Sequence, residues 1–584
     1  MMRTAAGSPD RGAVMPAGWR AVAALWLGLA LALLAFSWPA ITALRATDPD
    51  DYMRLLEVRD WLAGQAWSDV HQARMGGPGG TAMHWSRLVD LPIAALLAPA
   101  RLVLAEPAAS ALAMAGIPLL ELLVAMLLLH RLVRGQGMGE GTALAAAALP
   151  LLFPVLTGTF MPMRIDHHGW QAICALACVL ALQRRDGAAW AGAIAGTWLT
   201  ISLEGLPLAV ALAALMALRW WRARDGALAP FCLGLAGAGI ALGLAMRGPA
   251  ALLAATADQL SWPQLLAFAL AGLLALGLPR APWQRRRAGR AIALAAIAAA
   301  GGAAILGGLG TAAFDPFHGL DPLVRGVWLE QVREGLPIWR QDWSTRAMLA
   351  WTPMLVGAGW WAARHDVADA ARWDEHAAFA LAACGLSLLL MRGAVAAQLL
   401  AVPFSAALLA RLFPRAAALR TAPARMAAMV ACLVLLTPNL ASAAGKWLDR
   451  REAVAGPATA GPADGTCALE RLAGLPPSHL FAPIDLGPEI LVRTGHSVVA
   501  GAYHRNRAGL HDVIAAFSGD PAGAAAIVRG NRAGYLVLCA SPEVRLYAGR
   551  RPDGLAARLL AGRAPGWLVP VPGFGRGLLV WRVR

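Results

Sequence analysis

Runs of about 17–20 consecutive apolar residues, the length that carries a helix across a hydrocarbon layer, recur from Trp19 to about Leu440 and then stop. Inside a bilayer the backbone must satisfy its own hydrogen bonds, so runs of this kind fold as helices. Of the 584 residues, 58% are hydrophobic and only 15% charged, against roughly 25% charged in a soluble globular domain. A soluble enzyme is therefore excluded. The pattern specifies an α-helical polytopic membrane protein followed by a small extramembrane tail.

Thirteen apolar centres, near residues 30, 119, 150, 176, 195, 213, 236, 271, 300, 355, 384, 403 and 433, predict about thirteen transmembrane helices. The net charge of +16 comes from 51 Lys and Arg against 35 Asp and Glu, and Lys446 is the only lysine. Nucleic-acid binders show such a balance too. Here, however, the arginines sit in short clusters between apolar runs, as cytoplasmic loops do, and no nucleic-acid partner is expected. Placing Arg3, Arg11 and Arg20 inside puts Arg131 with Arg134, Arg184 with Arg185, Arg219 with Arg222 and Arg224, Arg285 to Arg290, and Arg411 to Arg425 inside as well. The first run follows Arg20 without a small-residue cleavage site and reads as a retained anchor.

The same parity leaves 43–107, 161–168, 311–346 and everything after about 443 outside. Residues 1–442 are expected to form the transmembrane domain with those three external loops. Residues 443–584, in which short β-like runs alternate with helical stretches and Gly, Pro and Asp turns, are expected to form a periplasmic α/β domain. Five cysteines lie in apolar runs as small hydrophobes, and Cys174 with Cys178 has no His or acid beside it to make a zinc set. Cys467 and Cys539 lie in the tail, where a disulfide and two free thiols are both open. Arg-rich, Lys-poor, Ala- and Gly-rich usage points to a GC-rich bacterial genome, and hence to the inner membrane with its periplasmic face.

Polar chemistry concentrates on that outer face. Asp48-Pro49-Asp50-Asp51-Tyr52-Met53-Arg54 follows the first run directly. Helix capping accounts for Asp48 and Pro49, and the helix dipole favours the next acids. Three acids beside a bilayer nevertheless point to function. His84-Trp85 follows a glycine-rich passage, where an interfacial anchor is the commoner role. In Arg164-Ile165-Asp166-His167-His168, the Asp and His at i and i+2 reach a single cation, with ligands suited to manganese, magnesium or zinc. Capping by Asp166 with solvated histidines is the plainer alternative. Glu334 lies in the loop Val332-Arg333-Glu334-Gly335-Leu336-Pro337. Arg392, facing outward against the charge pattern, is placed to hold a phosphate or to snorkel to headgroups.

At these residues the chain resembles the catalytic subunit of oligosaccharyltransferases, membrane glycosyltransferases of the GT-C superfamily. Asp48 is similar to the first-loop catalytic aspartate, and Asp166 with His168 to the second-loop Asp-x-Asp motif in its archaeal-like Asp-x-His form. His84 resembles a first-loop histidine ligand, Glu334 the fifth-loop glutamate, and Arg392 the arginine at the donor pyrophosphate. The family has thirteen spans and an outside C-terminal domain. Its Trp-Trp-Asp-Tyr-Gly motif, which reads the Ser or Thr of a glycosylation sequon, appears only as Ala482-Pro483-Ile484-Asp485-Leu486-Gly487, with both tryptophans gone. Asp485 is thus a weak acceptor-binding candidate.

The resemblance implies transfer of a sugar or oligosaccharide from a polyprenyl-phosphate or -pyrophosphate donor to an acceptor at the periplasmic face. Asp48 and Glu334 would be catalytic, and Asp48, Asp166, His168 and His84 would hold a divalent metal ion, Mn or Mg. Arg392 would bind the donor phosphate. The acceptor is a protein or, as the lost tryptophans favour, a glycolipid or polysaccharide. A transporter or flippase without catalysis is the other reading, with Glu121 and Glu204 as its ionisable residues within spans.

Overall fold

A computed structural model describes residues 18–223, 225–277, 285–455, 467–575 and 577–584; Arg3, Arg11 and Arg224 lie outside the described residues. Each of the thirteen apolar centres falls within a helix. Among the described residues, six helices are by themselves long and apolar enough to cross a membrane: Gly18–Thr42, Glu106–Gly135, Leu203–Ala223, Leu228–Leu253, Arg287–Ala313 and Met391–Ala417. A seventh is reached if Ala422–Leu435 and Asn439–Arg451, bent by 77°, count as one span. The apolar segment near residue 150 is not one continuous helix. Phe153 is extended (φ −106°, ψ 115°) ahead of Pro154, because the proline ring disfavours a helical conformation in the residue before it.

Burial separates centre from rim. In Met391–Ala417 and Glu106–Gly135, 72% and 61% of the apolar window is buried, against 17% in Gly18–Thr42 and 11% in Arg287–Ala313. The first pair forms the interior of the bundle, and the second presents apolar side chains outward. Small residues allow the tightest crossing. A Cβ on Gly192 or Gly196 would stand 2.0 or 2.5 Å from the carbonyl oxygens of Phe231 and Leu235. The Gly187–Ile201 helix thus packs backbone to backbone on Leu228–Leu253, as small-residue spacing allows between apolar helices.

The tail forms a five-stranded mixed sheet in the order Ser497–Val498, His479–Phe481, Tyr535–Cys539, Leu578–Val583, Leu568–Pro570. The first two pairings are parallel and the last two antiparallel. Cys467 and Cys539 are joined as a disulfide with Cα atoms 6.3 Å apart.

The connections 43–107 and 311–346, the first and third of the loops named above, do not lie apart from this sheet. On one face Leu320, Val324 and Val327, from the third loop, share a core with Phe481, Val513, Phe517 and Leu538. On the other, Met53, Leu56, Met75, Met83 and Trp85 of the first loop pack on Leu480, Val498 and Val537. Arg74 completes the join by donating to the carbonyls of Leu491, Thr494 and His496 at the end of the Gly487–Arg493 helix, where helical carbonyls lack internal partners.

Candidate catalytic and metal site

The first contributor is the N-terminus of the Pro49–Leu62 helix. Asp48 is its N-cap, accepting from the Asp50 backbone N–H at 3.0 Å, with proline at the first turn. One residue further, the fully buried Asp51 leaves its own helix and accepts from the N–H groups of Ile165 (2.8 Å) and Asp166 (3.1 Å). Arg164 bridges Asp48 and Asp51, each at 3.4 Å. Burial pushes the Asp51 carboxyl up to about 8 against the pull of Arg164, with Asp166 and Asp48 adding to the rise.

So held, the second loop presents Asp166, His167 and His168, each offering one ligand atom, with these atoms all within 4.8 Å of one another. Asp166 accepts from the His167 backbone N–H at 2.6 Å and pairs with the His167 ring, while its other oxygen lies 3.2 Å from His168 Nε2. Burial opposes ionisation of Asp166, yet His167 and His168 hold its carboxyl well below the usual range. Burial likewise opposes a charge on His167, but Asp166 and Glu204 lift it to about 10. One carboxylate and two imidazoles make a donor set suited to a first-row divalent cation, with magnesium the least natural occupant. The residues fit such an ion, and loading it requires His167 to surrender its proton.

Further carboxylates close over this set. Glu334, in the turn Arg333–Gly335, lies 3.7 Å from His168 Nε2 and 3.4 Å from Arg392 Nε. Gln341 staples this loop by donating to the carbonyls of Arg333 (2.6 Å) and Leu336 (3.0 Å). Glu204, in the turn Leu203–Gly205, pairs with Arg392 through one oxygen. Its other oxygen accepts from Gln171 Nε2 at 3.1 Å and lies 3.7 Å from His167 Nε2 and 3.9 Å from His168 Nδ1.

Asp166, His168, Glu334 and Arg392 thus form one continuous chain of contacts, and Asp48 joins it through Arg164. His84 is placed elsewhere. Its ring lies 4.8 Å from that of His504, whose Nε2 meets Asp258 at 2.8 Å, and Arg505 pairs with the same carboxylate. The ring of Trp85 lies against both groups, 5.9 Å from His84 and 6.2 Å from His167. Trp85 is itself fixed under the Arg54 guanidinium at 4.3 Å. Arg54 belongs to a buried ion network with Glu57 and Asp90, to which Arg87 is also tied.

Asp485 is open to solvent at the end of the sheet domain. Desolvation by its surroundings, followed by the charge of Asp48, raises it to about 6. His167, Arg164, Asp51 and Gln171 were not singled out by sequence spacing as site residues. Glu204 carried a signal, an acid within an apolar run, but that signal points equally to a transport path. Glu121 is buried with both carboxylate oxygens unpartnered, against Gly169.

Helices around a core, a sheet domain and a loop-built carboxylate and histidine site give the chain a multi-helix fold similar to that of oligosaccharyltransferases. The archaeal oligosaccharyltransferase AglB from Archaeoglobus fulgidus, in complex with an inhibitory peptide and a dolichol-phosphate, superposes with a TM-score of 0.62 at 13% identity, over 96% of this chain and 74% of that one. An Archaeoglobus fulgidus oligosaccharyltransferase tethered with an acceptor peptide containing the NVT sequon via a disulfide bond gives 0.61 at 13% identity, over 96% and 74%. Its complex with Zn and sulfate gives 0.55 at 13% identity, over 96% and 73%. No family model matches the chain. No curated protein matches it in sequence.

Proposed function

We propose that this protein transfers a sugar or oligosaccharide from a polyprenyl-phosphate or -pyrophosphate donor to an acceptor on the periplasmic face of a bacterial inner membrane. The observation that carries this reading is the contact chain Asp166, His168, Glu334, Arg392, drawn from three separate connections to one point. Residues 1–442, with thirteen crossings, are assigned to the membrane-embedded catalytic part and 443–584 to the periplasmic part.

In the proposed reaction the acceptor nucleophile forms a bond to the anomeric carbon as the bond from that carbon to the phosphate oxygen breaks. The electron pair leaves with the phosphate and the nucleophile's proton passes to a carboxylate. Glu334 and Asp48 are the carboxylates that orient the nucleophile and take that proton. Arg392, with a partly exposed side chain, binds the phosphate before and after departure. A bound Mn or Mg would supply Lewis-acid charge to the leaving phosphate. Asp166 and His168, with His167, are the residues that would hold it, and Asp48 acts from beyond Arg164. His84 is assigned to the neighbouring wall. A single direct displacement inverts the anomeric centre.

The loss of both tryptophans before Asp485 favours a glycolipid or polysaccharide acceptor over a protein one. The test is sugar transfer in proteoliposomes, with and without EDTA, by the wild type and an Asp48→Ala, Asp166→Ala double variant. Full activity in the double variant removes these residues from catalysis. Mass spectrometry of glycoproteins and envelope glycolipids from a deletion strain separates the acceptors, and an unchanged glycan profile accompanied by lost transport activity would favour a flippase.

A further inference from the structure

Glu204 and Glu334 both face Arg392, yet they are built differently. Glu334 sits on a short surface turn, whereas Glu204 is anchored from behind. Ser202 accepts from its backbone N–H at 3.4 Å. A Cβ on the adjacent Gly205 would stand 2.5 Å from the Trp198 indole, so that ring lies directly on the turn. Trp198 is 2% exposed and donates to Gln171 Oε1 at 3.0 Å, and Gln171 Nε2 in turn donates to Glu204 at 3.1 Å. This line of buried polar contacts fixes one Glu204 oxygen and leaves the other for Arg392. The Arg392 side chain as a whole is still 36% exposed, which leaves it reachable by an incoming anion.

We propose that Glu204 is a positioning residue that holds Arg392 as a resident anion and competes with the lipid phosphate for it, thereby weakening product retention and promoting release. The inference rests on the assignment of Arg392 to the donor phosphate above. With no phosphate present, Glu204 neutralises Arg392 and keeps the guanidinium extended beside His168 and Glu334. With a phosphate present, it joins Glu204 and Glu334 at one cation, and the repulsion from Glu204 falls on the ligand, because the Glu204 carboxylate is held in place by Gln171. Once the sugar has moved, the same competition expels the spent polyprenyl phosphate. No bond is made or broken by Glu204 itself.

The test uses the full-length protein in nanodiscs with undecaprenyl monophosphate as probe. Glu204→Gln keeps the acceptor for Gln171 and removes the charge. It is expected to tighten binding roughly five- to tenfold, the size of one charge-assisted contact, and to strengthen product inhibition by undecaprenyl phosphate in parallel, so that kcat falls while donor KM does not rise. In the Arg392→Ala background the gain should vanish, a coupling that a merely structural residue would not show. Unchanged or weaker binding in Glu204→Gln at an unaltered unfolding midpoint overturns the proposal. If that variant unfolds, Glu204→Asp serves, with a reach too short for Arg392 and an expected gain of about threefold; no gain there overturns it equally. Failure of the wild type itself to bind the probe overturns the donor assignment, whereas binding by the wild type without a gain in the variants overturns the role of Glu204 alone.

Discussion

Asp51 accepts hydrogen bonds from the backbone N–H groups of both Ile165 and Asp166, at 2.8 and 3.1 Å, and so joins two loops that are more than a hundred residues apart in sequence. Its carboxylate positions the Asp166 backbone without facing the cation site itself. Asp51→Ala strands two buried N–H groups and leaves Arg164 with Asp48 alone of the two acids it bridges, and is expected to cost about 2–4 kcal/mol of stability and at least tenfold in sugar transfer. Asp51→Asn keeps an acceptor oxygen and should retain more of both. Thermal unfolding and proteoliposome turnover, measured side by side, check the order wild type, Asn, Ala.

Removal of the divalent ion should abolish transfer, and Mn should restore it at lower concentration than Mg, because two imidazoles lie beside the single carboxylate. His168→Ala should raise the Mn concentration giving half-maximal activity by roughly 10–100-fold. His84→Ala should shift it far less, since that ring lies against His504, in a tilted contact, and not in the Asp166, His167 and His168 group. Metal titration of EDTA-stripped protein is the measurement, and an equal shift in both variants would place His84 in the ligand set.

Glu543 lies beneath Asp485, accepting from the Ile484 N–H at 2.8 Å and from the Tyr547 hydroxyl at 2.5 Å. Burial, with the charge of Asp485, pushes its carboxyl up to about 8 from an ordinary value of 4.5. The folded state therefore binds this proton more tightly than the unfolded state does. Its stabilising effect is complete below the unfolded pKa and is lost as pH rises from about 4.5 to about 8. Unfolding midpoints taken from pH 5 to pH 9 should fall with pH more steeply in the wild type than in Glu543→Gln.

The Cys467–Cys539 disulfide closes a 72-residue separation and fastens the start of the described tail to the central strand. Cys467→Ser with Cys539→Ser should lower stability by about 2–4 kcal/mol. Thiol counting on denatured protein should find five free cysteines before reduction and seven after. Seven before reduction would show the pair to be open.

Periodicity and composition determined what is local. Apolar runs become helices wherever the backbone must satisfy itself in lipid, Asp48 followed by Pro49 starts a helix as expected of a cap, and Phe153 before Pro154 interrupts one. The gathering of polar residues in the connections 43–107, 161–168 and 311–346 was likewise legible, since polar residues concentrate where the apolar runs are interrupted. Partnership between distant segments was decided by tertiary structure. His84 was drawn to His504 and Asp258 because the first loop packs beneath the sheet, and Glu204 reached Arg392 across 188 positions because two helix breaks face each other in the bundle. Spacing along a chain records the pitch of a helix and the side that meets water. Which helix stands beside which depends on close contacts such as Gly192 against Phe231, whose effect appears only when the whole bundle is assembled.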